Sequence, residues 1–350
     1  MTPTPKNLVY FENWSDPVAE EILKGQDGIN LRKLAFADPE DGNWEALASA
    51  HGYQLLPTYE IQEPFFPKKP LIERCPNLLA FSVTGSGYDM IDVEACTEAG
   101  ILVVNQTGAN AQSVAQHVLG LMLVLSKQIV QGDRQMRRGP GDWGRPDFQG
   151  KELTGRTIGI IGLGNVGRKV SALTGGVFGM NVLAYDPYIS DQDFSDRGAE
   201  KVGFDDIFKQ SDFVSVNCPL SDETSGMIGD REYRLMKPSA YFNTTARGGI
   251  HAEEALAKVL SDDLISGAGL DVFLPEPPPA DHPLMAFDNV IISPHVAGIT
   301  DDCLYNMAQY AAEQWLTIFE GARPPRLINP EAWTKYRDRF EAIIGSPAED

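Results

Sequence analysis

Short apolar runs alternate with amphipathic segments along almost the whole chain. In the first third, apolar runs predict buried strands at residues 8–11, 31–37, 78–83 and 101–104. Helical periodicity predicts helices between them, at residues 17–24, 43–51 and 92–98. Buried strands that alternate with helices are typical of a mostly parallel sheet covered on both faces, so the pattern predicts an α/β fold.

A second α/β series follows a long apolar segment. A helix is predicted over residues 111–129, and the Gly-, Arg- and Trp-rich stretch at 134–150 is typical of a loop. Strands are then predicted at residues 157–161, 181–185, 212–216, 240–243, 265–270 and 290–292. A proline-dense loop at 274–283 and a helix at 302–319 precede a polar tail that we expect to be frayed. Two α/β units are therefore expected.

Length and charge narrow the classes of function. The 350 residues correspond to two domains at roughly 150 residues each. Hydrophobic residues make up 43% and charged residues 22%, as in ordinary globular proteins. The 29 Lys and Arg against 49 Asp and Glu give a net charge of −20. Such an acidic surface repels nucleic-acid phosphates and anionic lipid, so we expect neither as a partner, and any anionic substrate must meet local positive groups.

Cysteine spacing and the apolar segments predict a cytoplasmic protein. Cys75, Cys96, Cys218 and Cys303 lie far apart and form no CxxC pair, so neither a metal site nor a disulfide framework is expected. The N-terminal segment lacks the apolar core of a signal peptide. The most apolar stretch, residues 118–125, is far shorter than the ~20 residues that span a bilayer.

A glycine-rich turn predicts a dinucleotide site. The strand at 157–161 leads directly into Gly162-Leu-Gly164-Asn-Val-Gly167, and a helical stretch follows. Gly162 would allow the tight turn, Gly164 the approach of a pyrophosphate, and Gly167 close packing of helix and strand. A glycine-rich turn by itself is common and predicts little. Here, however, Asp186 ends the next strand, 19 residues after Gly167, at the position of a ribose-binding acid.

The acid at position 186 favours NAD over NADP. Its carboxylate can accept hydrogen bonds from both ribose hydroxyls, and it would repel a 2′-phosphate. The alternative is an exposed acid that merely starts the turn Asp186-Pro187. The adjacent Gly175 and Gly176 would cost about 1 kcal/mol each inside a helix, so the helix after the glycine turn is expected to break there.

Three residues with complementary chemistry follow predicted strands or lie in connecting loops. They are Arg247, Glu276 and His295, in Ala246-Arg-Gly248, Pro275-Glu-Pro277 and Ser293-Pro-His295. Because the carboxyl ends of parallel strands face one ligand crevice, all three could converge on one site. The alternative is a surface or structural role, which we keep for the other histidines, His51, His117, His251 and His282.

A series of motifs in a fixed order carries a resemblance to a known family. In chain order they are Gly85-Ser-Gly-Tyr-Asp-Met-Ile-Asp92, Asn105-Gln-Thr-Gly-Ala-Asn110, Val114-Ala-Gln-His117, the glycine turn with Asp186, Asn217-Cys-Pro-Leu220, Ala246-Arg-Gly248, Leu270-Asp-Val272, and the Glu276 and His295 motifs. Over nearly all of its length the chain thus resembles the D-isomer-specific 2-hydroxyacid dehydrogenases. The resemblance implies two doubly wound parallel-sheet domains: a Rossmann NAD-binding domain, residues 109–299, inserted into a flavodoxin-like substrate domain, residues 1–108 and 300–350.

The same resemblance implies roles for individual residues. His295 would be the general acid and base for the interconversion of a D-2-hydroxy acid and its 2-oxo acid with NAD(H); Glu276 would orient its imidazole and favour its charged form. Arg247 would clamp the substrate carboxylate or carbonyl. Backbone amides would complete the substrate site at Gly85, Ser86 and Gly87. Cofactor contacts would come from Gly162, Gly164, Asn165, Val166, Gly167, Asp186, Pro219, Thr245 and Asp271. A homodimer through the region 114–125 is also implied.

Departures from related patterns narrow the choice of substrate. Formate dehydrogenases pair the histidine with glutamine, and Glu276 argues against that chemistry. Phosphite dehydrogenases carry a lysine where this chain has Ser86. Long phosphoglycerate dehydrogenases append regulatory domains, for which we expect no room after about residue 330. Glyoxylate, hydroxypyruvate and phosphoglycerate-like substrates stay open. So does an NADH-sensing role like that of the C-terminal binding corepressors, although the acidic surface favours an enzyme.

Overall fold

The computed structural model describes residues 5–57 and 60–349, and they form two units. The first unit combines the chain up to Asn110 with the chain from Thr300 onward, and the second is Ala111–Ile299. The sequence-based boundaries lie at 108/109 and 299/300. Each unit has one sheet, of five strands in the first and seven in the second, and all strand pairs are parallel. The predicted α/β fold is thus confirmed.

Strands and helices alternate along the chain. The strands are β1 Lys6–Phe11, β2 Ile29–Leu34, β3 Gly52–Leu55, β4 Ala80–Val83, β5 Leu102–Val104, β6 Thr157–Ile161, β7 Asn181–Tyr185, β8 Glu200–Lys201, β9 Phe213–Val216, β10 Tyr241–Thr244, β11 Gly267–Leu270 and β12 Val290–Ile292. The helices are α1 Val18–Lys24, α2 Glu40–Ala48, α3 Lys69–Arg74, α4 Val93–Ala99, α5 Ala111–Ser126, α6 Ile129–Arg138, α7 Gly167–Ser171, α8 Asp191–Asp196, α9 Phe204–Gln210, α10 Asp230–Leu235, α11 Glu253–Ser261, α12 Asp301–Glu320 and α13 Trp333–Ile344.

The sheet of the first unit has the order β2-β1-β3-β4-β5 and is covered on both faces. Neighbouring strand residues feed different cores: Leu8 packs in the cluster of α1, α12 and α13, whereas Val9 packs in the cluster on the other face. Because successive side chains point to opposite faces, a strand buried on both faces is apolar without interruption. This is why the sequence pattern predicts β1, β4 and β5 as continuous apolar runs.

The C-terminal chain is part of this core, which corrects the predicted frayed tail. The tail forms α13, whose Tyr336 and Phe340 are fully buried. The Tyr336 hydroxyl donates to the carbonyl oxygen of Ile318 at 2.8 Å. Because the other residues of α13 are mostly polar, the composition of the segment suggests that it is solvated.

The sheet of the second unit has the order β12-β11-β10-β9-β6-β7-β8. From β6 the chain adds strands outward to β8, then returns to β9 and adds strands outward to β12 on the other side. The strand order therefore reverses between β6 and β9. In open α/β sheets, ligands bind outside the carboxyl ends of the strands at such a reversal, and the glycine-rich turn begins there, directly after β6.

Three further sequence predictions are wrong in detail. The helix predicted over 111–129 ends at Ser126, and α6 begins after Gln128, whose φ of 53° turns the chain. Part of the loop predicted at 134–150 is thus α6, which buries no residue. The helix does not break at Gly175 and Gly176; it widens into a π segment, Ala172–Val177.

The apolar helix α5 also bears on membrane spanning. In the part of the chain that the structure describes, no single helix has the length and hydropathy to cross a bilayer. The pair α5 and α6 passes the same criterion together, with a bend of 57° at the break between them.

Candidate active site and cofactor site

An imidazole–carboxylate pair stands at the carboxyl edge of the second sheet. His295 lies in the turn after β12, and Glu276 lies in the loop after β11. The Nδ1 atom of His295 is 2.7 Å from Oε2 of Glu276, and the two side chains are 27% and 22% exposed. They are sheltered yet reachable by a small substrate. The other oxygen of Glu276, Oε1, accepts the backbone N–H of Phe273 at 2.8 Å.

The carboxyl group of Glu276 is held in its ionised form. Burial raises its pKa, but the hydrogen bond from His295, the Phe273 amide and the charge of Arg247 together outweigh burial, so the pKa lies below its ordinary value. An anionic Glu276 can only accept, so it selects the His295 tautomer with its proton on Nδ1. Nε2 is then the ring nitrogen that would exchange a proton with a substrate.

The backbone at His295 is held in an unusual conformation. Its φ is 52°, in the left-handed region, which costs a residue other than glycine about 1–3 kcal/mol. The N–H of His295 donates to the carbonyl oxygen of Asp271 at 2.8 Å, which holds the turn. Strain kept by surrounding hydrogen bonds is a feature of functional sites, and here it aims the imidazole at Glu276.

Asp271 clamps the turn that carries His295. Its side chain is buried, and its carboxylate accepts from the Ser293 hydroxyl at 2.6 Å and from the amides of Val296 and Ala297 at 2.9 Å each. His117 Nε2, on α5, lies 2.9 Å from the Ser293 hydroxyl oxygen. The turn thus closes around the carboxylate of Asp271, and His117 contacts the Ser293 hydroxyl that Asp271 also binds. A place for Asp271 beside the nicotinamide stays a prediction.

Arg247 follows β10, which lies beside β11, the strand before Glu276; β12, the strand before His295, lies on the other side of β11. Its Nη1 donates to the carbonyl oxygen of Ala246 at 2.8 Å, and its charge lowers the pKa of Glu276. A Cβ at Gly248 would lie 2.0 Å from the carbonyl oxygen of Phe273. Only glycine therefore lets the Arg247 loop pack against the backbone before Glu276. The structure brings all three predicted catalytic residues to one edge.

The glycine turn after β6 has the form of a diphosphate cradle. Gly162 has a φ of 86°, and a Cβ there would meet the backbone of Cys218 at 2.8 Å. A Cβ at Gly167 would lie 2.1 Å from the carbonyl oxygen of Gly162, so helix and strand pack too closely for a side chain. A Cβ at Gly164 would instead point into open space. A pyrophosphate could approach the backbone there, so the turn fits NAD.

Asp186 stands at the end of β7, beside a surface cleft. Its Oδ2 accepts the N–H of Leu163 at 3.0 Å, and its Oδ1 accepts the N–H of Tyr188 at 3.0 Å. Each oxygen keeps a second lone pair, with which it could accept a ribose hydroxyl. The cleft has a volume of about 430 Å³ and is lined by Tyr185, Asp186, Pro187, Lys201, Val202 and Gly203.

The remaining predicted cofactor residues lie around the same sheet edge. Thr245 is buried, and its Oγ1 has no hydrogen-bond partner among the residues that the structure describes. The carbonyl oxygen of Pro219 accepts from the Thr224 hydroxyl at 2.7 Å, and Asn165 Oδ1 accepts from Arg168 at 2.7 Å. The buried, unpartnered hydroxyl of Thr245 suits a polar ligand group. Contact between these residues, with Val166, and NAD stays a prediction.

The predicted substrate loop belongs to the first unit, where it follows β4. The Ser86 hydroxyl donates to Asn110 Oδ1 at 3.1 Å, and its carbonyl oxygen accepts from Asn105 Nδ2 at 2.6 Å. The carbonyl oxygen of Gly85 accepts the N–H of Gln106 at 2.8 Å. These bonds hold the loop to the segment after β5. The role of the Gly85, Ser86 and Gly87 amides in carboxylate binding stays a prediction.

Comparison with known proteins identifies the family. Residues 119–297 match the model of the NAD-binding domain of the D-isomer specific 2-hydroxyacid dehydrogenases. The chain is 37% identical over 264 residues to glyoxylate reductase of Korarchaeum cryptofilum, covering 75% of this chain and 79% of that protein. It is 38% identical over 316 residues to D-3-phosphoglycerate dehydrogenase of Methanocaldococcus jannaschii, covering 90% of this chain and 58% of that protein.

A solved structure agrees with these sequence matches. D-lactate dehydrogenase of Aquifex aeolicus, solved with NAD and lactic acid, superposes with a TM-score of 0.76 at 26% identity, covering 92% of this chain and 99% of that one. The chain therefore belongs to the D-isomer specific 2-hydroxyacid dehydrogenase family, and NAD is the cofactor of its second unit. It spans 49% and 58% of the length of two phosphoglycerate dehydrogenases that it matches.

Proposed function

We propose that the protein is an NAD(H)-dependent oxidoreductase that interconverts a small D-2-hydroxy acid and its 2-oxo acid, with His295 as general acid and base. The observation that carries the proposal is the 2.7 Å contact between His295 and Glu276, which follow β12 and β11 at the same sheet edge at which Arg247 follows β10. The names of the relatives, glyoxylate reductase and D-3-phosphoglycerate dehydrogenase, support the same reaction class.

The residues around the pair account for the proton and the substrate charge. Bound NADH supplies the hydride that reduces C2 of the 2-oxo acid. Nε2 of His295 gives its proton to the carbonyl oxygen, so that C=O becomes CH–OH, and the imidazole regains a proton from water. Glu276 remains anionic and stabilises the imidazolium before the transfer. Arg247 binds the substrate carboxylate through its planar guanidinium.

Short-range contacts must hold the substrate, because the protein as a whole repels it. The net charge is −20, so long-range attraction does not concentrate a carboxylate near the site. Arg247 provides positive charge at the edge where His295 stands. The absence of Arg and Lys from Gly85-Ser-Gly-Tyr-Asp favours glyoxylate or hydroxypyruvate over a phosphorylated acid.

A substrate panel tests the proposal. The purified protein would be given glyoxylate, hydroxypyruvate, pyruvate and 3-phosphohydroxypyruvate in turn, and the absorbance of NADH or NADPH would be followed. We expect turnover with NADH and the small acids. Efficient turnover of 3-phosphohydroxypyruvate alone would show that the substrate is a phosphorylated acid, while the proposed reduction of a 2-oxo acid would stand. No turnover with any acid, together with measurable NADH binding, would contradict the enzyme and favour an NADH-sensing role.

We further infer that the protein acts as a homodimer in the cytoplasm. The four free cysteines support a reducing compartment, and the family resemblance supports a dimer through the region 114–125. Light scattering after gel filtration would measure the mass in solution. A mass of about one chain, 38.3 kDa, would contradict the dimer. Fractionation of cells that make the protein would test its location.

A further inference from the structure

A second carboxylate–imidazole pair lies behind the first, within the same unit. Oε2 of Glu253 is 2.9 Å from Nε2 of His282, and the two side chains are only 9% and 12% exposed. Glu253 is the first residue of α11, and His282 ends the loop that carries Glu276. A carboxylate this buried is costly unless it has polar partners, and the chemistry proposed above does not use this pair.

Glu253 holds the backbone next to Glu276. Its Oε1 accepts the N–H of Leu274 at 2.9 Å, while the preceding N–H, of Phe273, goes to Glu276 at 2.8 Å. Two successive amides of the loop are thus bound by two different carboxylates. Any shift of Leu274 would move the amide that fixes Glu276.

His282 closes the same loop from its other end. Its ring stands edge-on to the ring of Phe273, with centroids 5.7 Å apart and an interplanar angle of 79°. Its Nδ1 accepts the N–H of Leu284 at 3.4 Å, and its Nε2 lies 2.9 Å from Oε2 of Glu253. The loop is therefore tied at both ends to one carboxylate.

The pair also joins the Glu276 loop to the Arg247 loop. Glu253 comes six residues after Arg247, on the helix that follows that loop. A Cβ at Gly249 would lie 3.2 Å from Cδ2 of Leu274, and the Cβ of a residue at 248 would overlap the Phe273 carbonyl. With no room between the two loops, the bond from Leu274 to Glu253 keeps them in register.

The groups around Glu253 also set the pKa of its carboxyl group. Burial raises the pKa of Glu253, and the nearby Glu276 adds to this, whereas the Leu274 amide and His282 oppose it. Loss of His282 would therefore favour a neutral Glu253, and a neutral acid accepts more weakly from the Leu274 N–H.

We infer that Glu253 and His282 are positioning residues, which hold Glu276 in its hydrogen bond to His295 and in register with Arg247. For its catalytic consequence this inference rests on the proposed function. It assigns the two residues no contact with substrate or NAD.

Four variants separate positioning from mere stability. Glu253→Gln keeps the size but removes the charge, and it turns an amide NH₂ towards either His282 or the Leu274 N–H, which itself donates. His282→Ala removes the partner, and His282→Gln places an amide nitrogen near the position of Nε2. Glu254→Gln is the matched control, since Glu254 is an exposed neighbour on the same helix.

The first readout is steady-state kinetics with NADH and the best 2-oxo acid. We expect Glu253→Gln and His282→Ala to lower kcat about tenfold or more, because small displacements of catalytic groups cost one to two orders of magnitude. The Kd of NADH should stay within about twofold, and His282→Gln should recover most of the loss. A lower Tm with unchanged kcat in Glu253→Gln would show a purely structural role and overturn the inference.

The second readout does not depend on turnover. The proton between His295 Nδ1 and Glu276 should give a downfield proton NMR line, assigned by its loss in His295→Ala. We expect the line to shift or broaden in Glu253→Gln and His282→Ala, but not in Glu254→Gln, and to return in His282→Gln. An unchanged line in the first two variants, or no line in the starting protein, would overturn the inference. If Glu253→Gln does not fold, the His282 pair of variants decides the matter.

The two readouts keep the inference distinct from the proposed function. A starting protein that turns over no 2-oxo acid, yet whose line responds to Glu253→Gln, would refute the function and support the positioning. A starting protein that turns over its substrate, with kcat and line unaffected by Glu253→Gln, would do the opposite.

Discussion

Replacement of Glu276 by Gln tests the centre of the proposed mechanism. In the structure one oxygen of Glu276 faces His295 Nδ1 at 2.7 Å and the other accepts the Phe273 N–H at 2.8 Å. A glutamine has one carbonyl oxygen and cannot accept both bonds. It also lacks the negative charge that stabilises the imidazolium.

The size of the effect follows from these two contacts. A hydrogen bond to a charged group contributes about 1.5–3 kcal/mol, against about 1 kcal/mol between neutral groups. The loss is therefore about 0.5–2 kcal/mol, or roughly 2- to 30-fold in kcat. Because both side chains keep about a quarter of their surface exposed, at 27% and 22%, water screens the pair and we expect about tenfold.

The assay compares kcat and kcat/KM of Glu276→Gln with those of Glu254→Gln, which makes the same chemical change at an exposed position. Reduction and oxidation should slow by the same factor in kcat/KM, since no variant alters the overall equilibrium. The Kd of NADH should not change. An unaltered kcat in Glu276→Gln would refute the role of its charge in stabilising protonated His295.

Four other outcomes follow from the structure. His295→Ala should nearly abolish turnover and leave NADH binding intact; unchanged turnover would remove the acid–base assignment. Asp186→Ala should erode the preference for NAD by about tenfold in kcat/KM, and a starting protein that prefers NADPH would contradict the ribose argument. Gly248→Ala should destabilise by about 1–3 kcal/mol through overpacking and raise the KM of the 2-oxo acid; Gly42→Ala, in helix α2 with no heavy atom within 4 Å of its Cβ, is the control without a clash, and its Tm should stay the same or rise. The pKa of Glu276 is lowered in the folded protein, so the stabilisation by its carboxylate should be present above about pH 4.3 and fade as pH falls through the folded pKa. Urea unfolding across pH would measure the difference in unfolding free energy between the starting protein and Glu276→Gln. A difference that does not narrow in acid would contradict this prediction.

Much of the second sheet was predictable because its strands are buried on both faces. The predicted strands at 157–161, 181–185 and 290–292 coincide with β6, β7 and β12. In contrast β3, Gly52–Leu55, has no continuous apolar run. It is buried because Trp315, far along the chain, packs where the side chain of position 52 would be: a Cβ at Gly52 would lie 2.5 Å from its ring. A local pattern does not contain such a partner.

The candidate site was partly predictable for a related reason. Arg247, Glu276 and His295 each follow a strand, and parallel strands deliver their ends to one edge. Nothing near His117 in the sequence marks it as a neighbour of Ser293, which it contacts at 2.9 Å across 176 residues. The Glu253–His282 pair is hidden in the same way, because an acid opening a helix and a histidine before a proline are both ordinary in sequence.

The sequence by itself determined the alternation of strands and helices, the glycine turn with its acid, and the order of the catalytic motifs. These are properties of local periodicity, backbone freedom and residue chemistry, which neighbouring positions specify. Only the tertiary structure decided which groups hold the catalytic ones: Asp271 binding the His295 turn, Gly248 packing on Phe273, and Glu253 holding Leu274. Each of these joins separate strand ends or loops, and contacts such as the 2.9 Å hydrogen bonds between these segments arise only when the sheet has assembled.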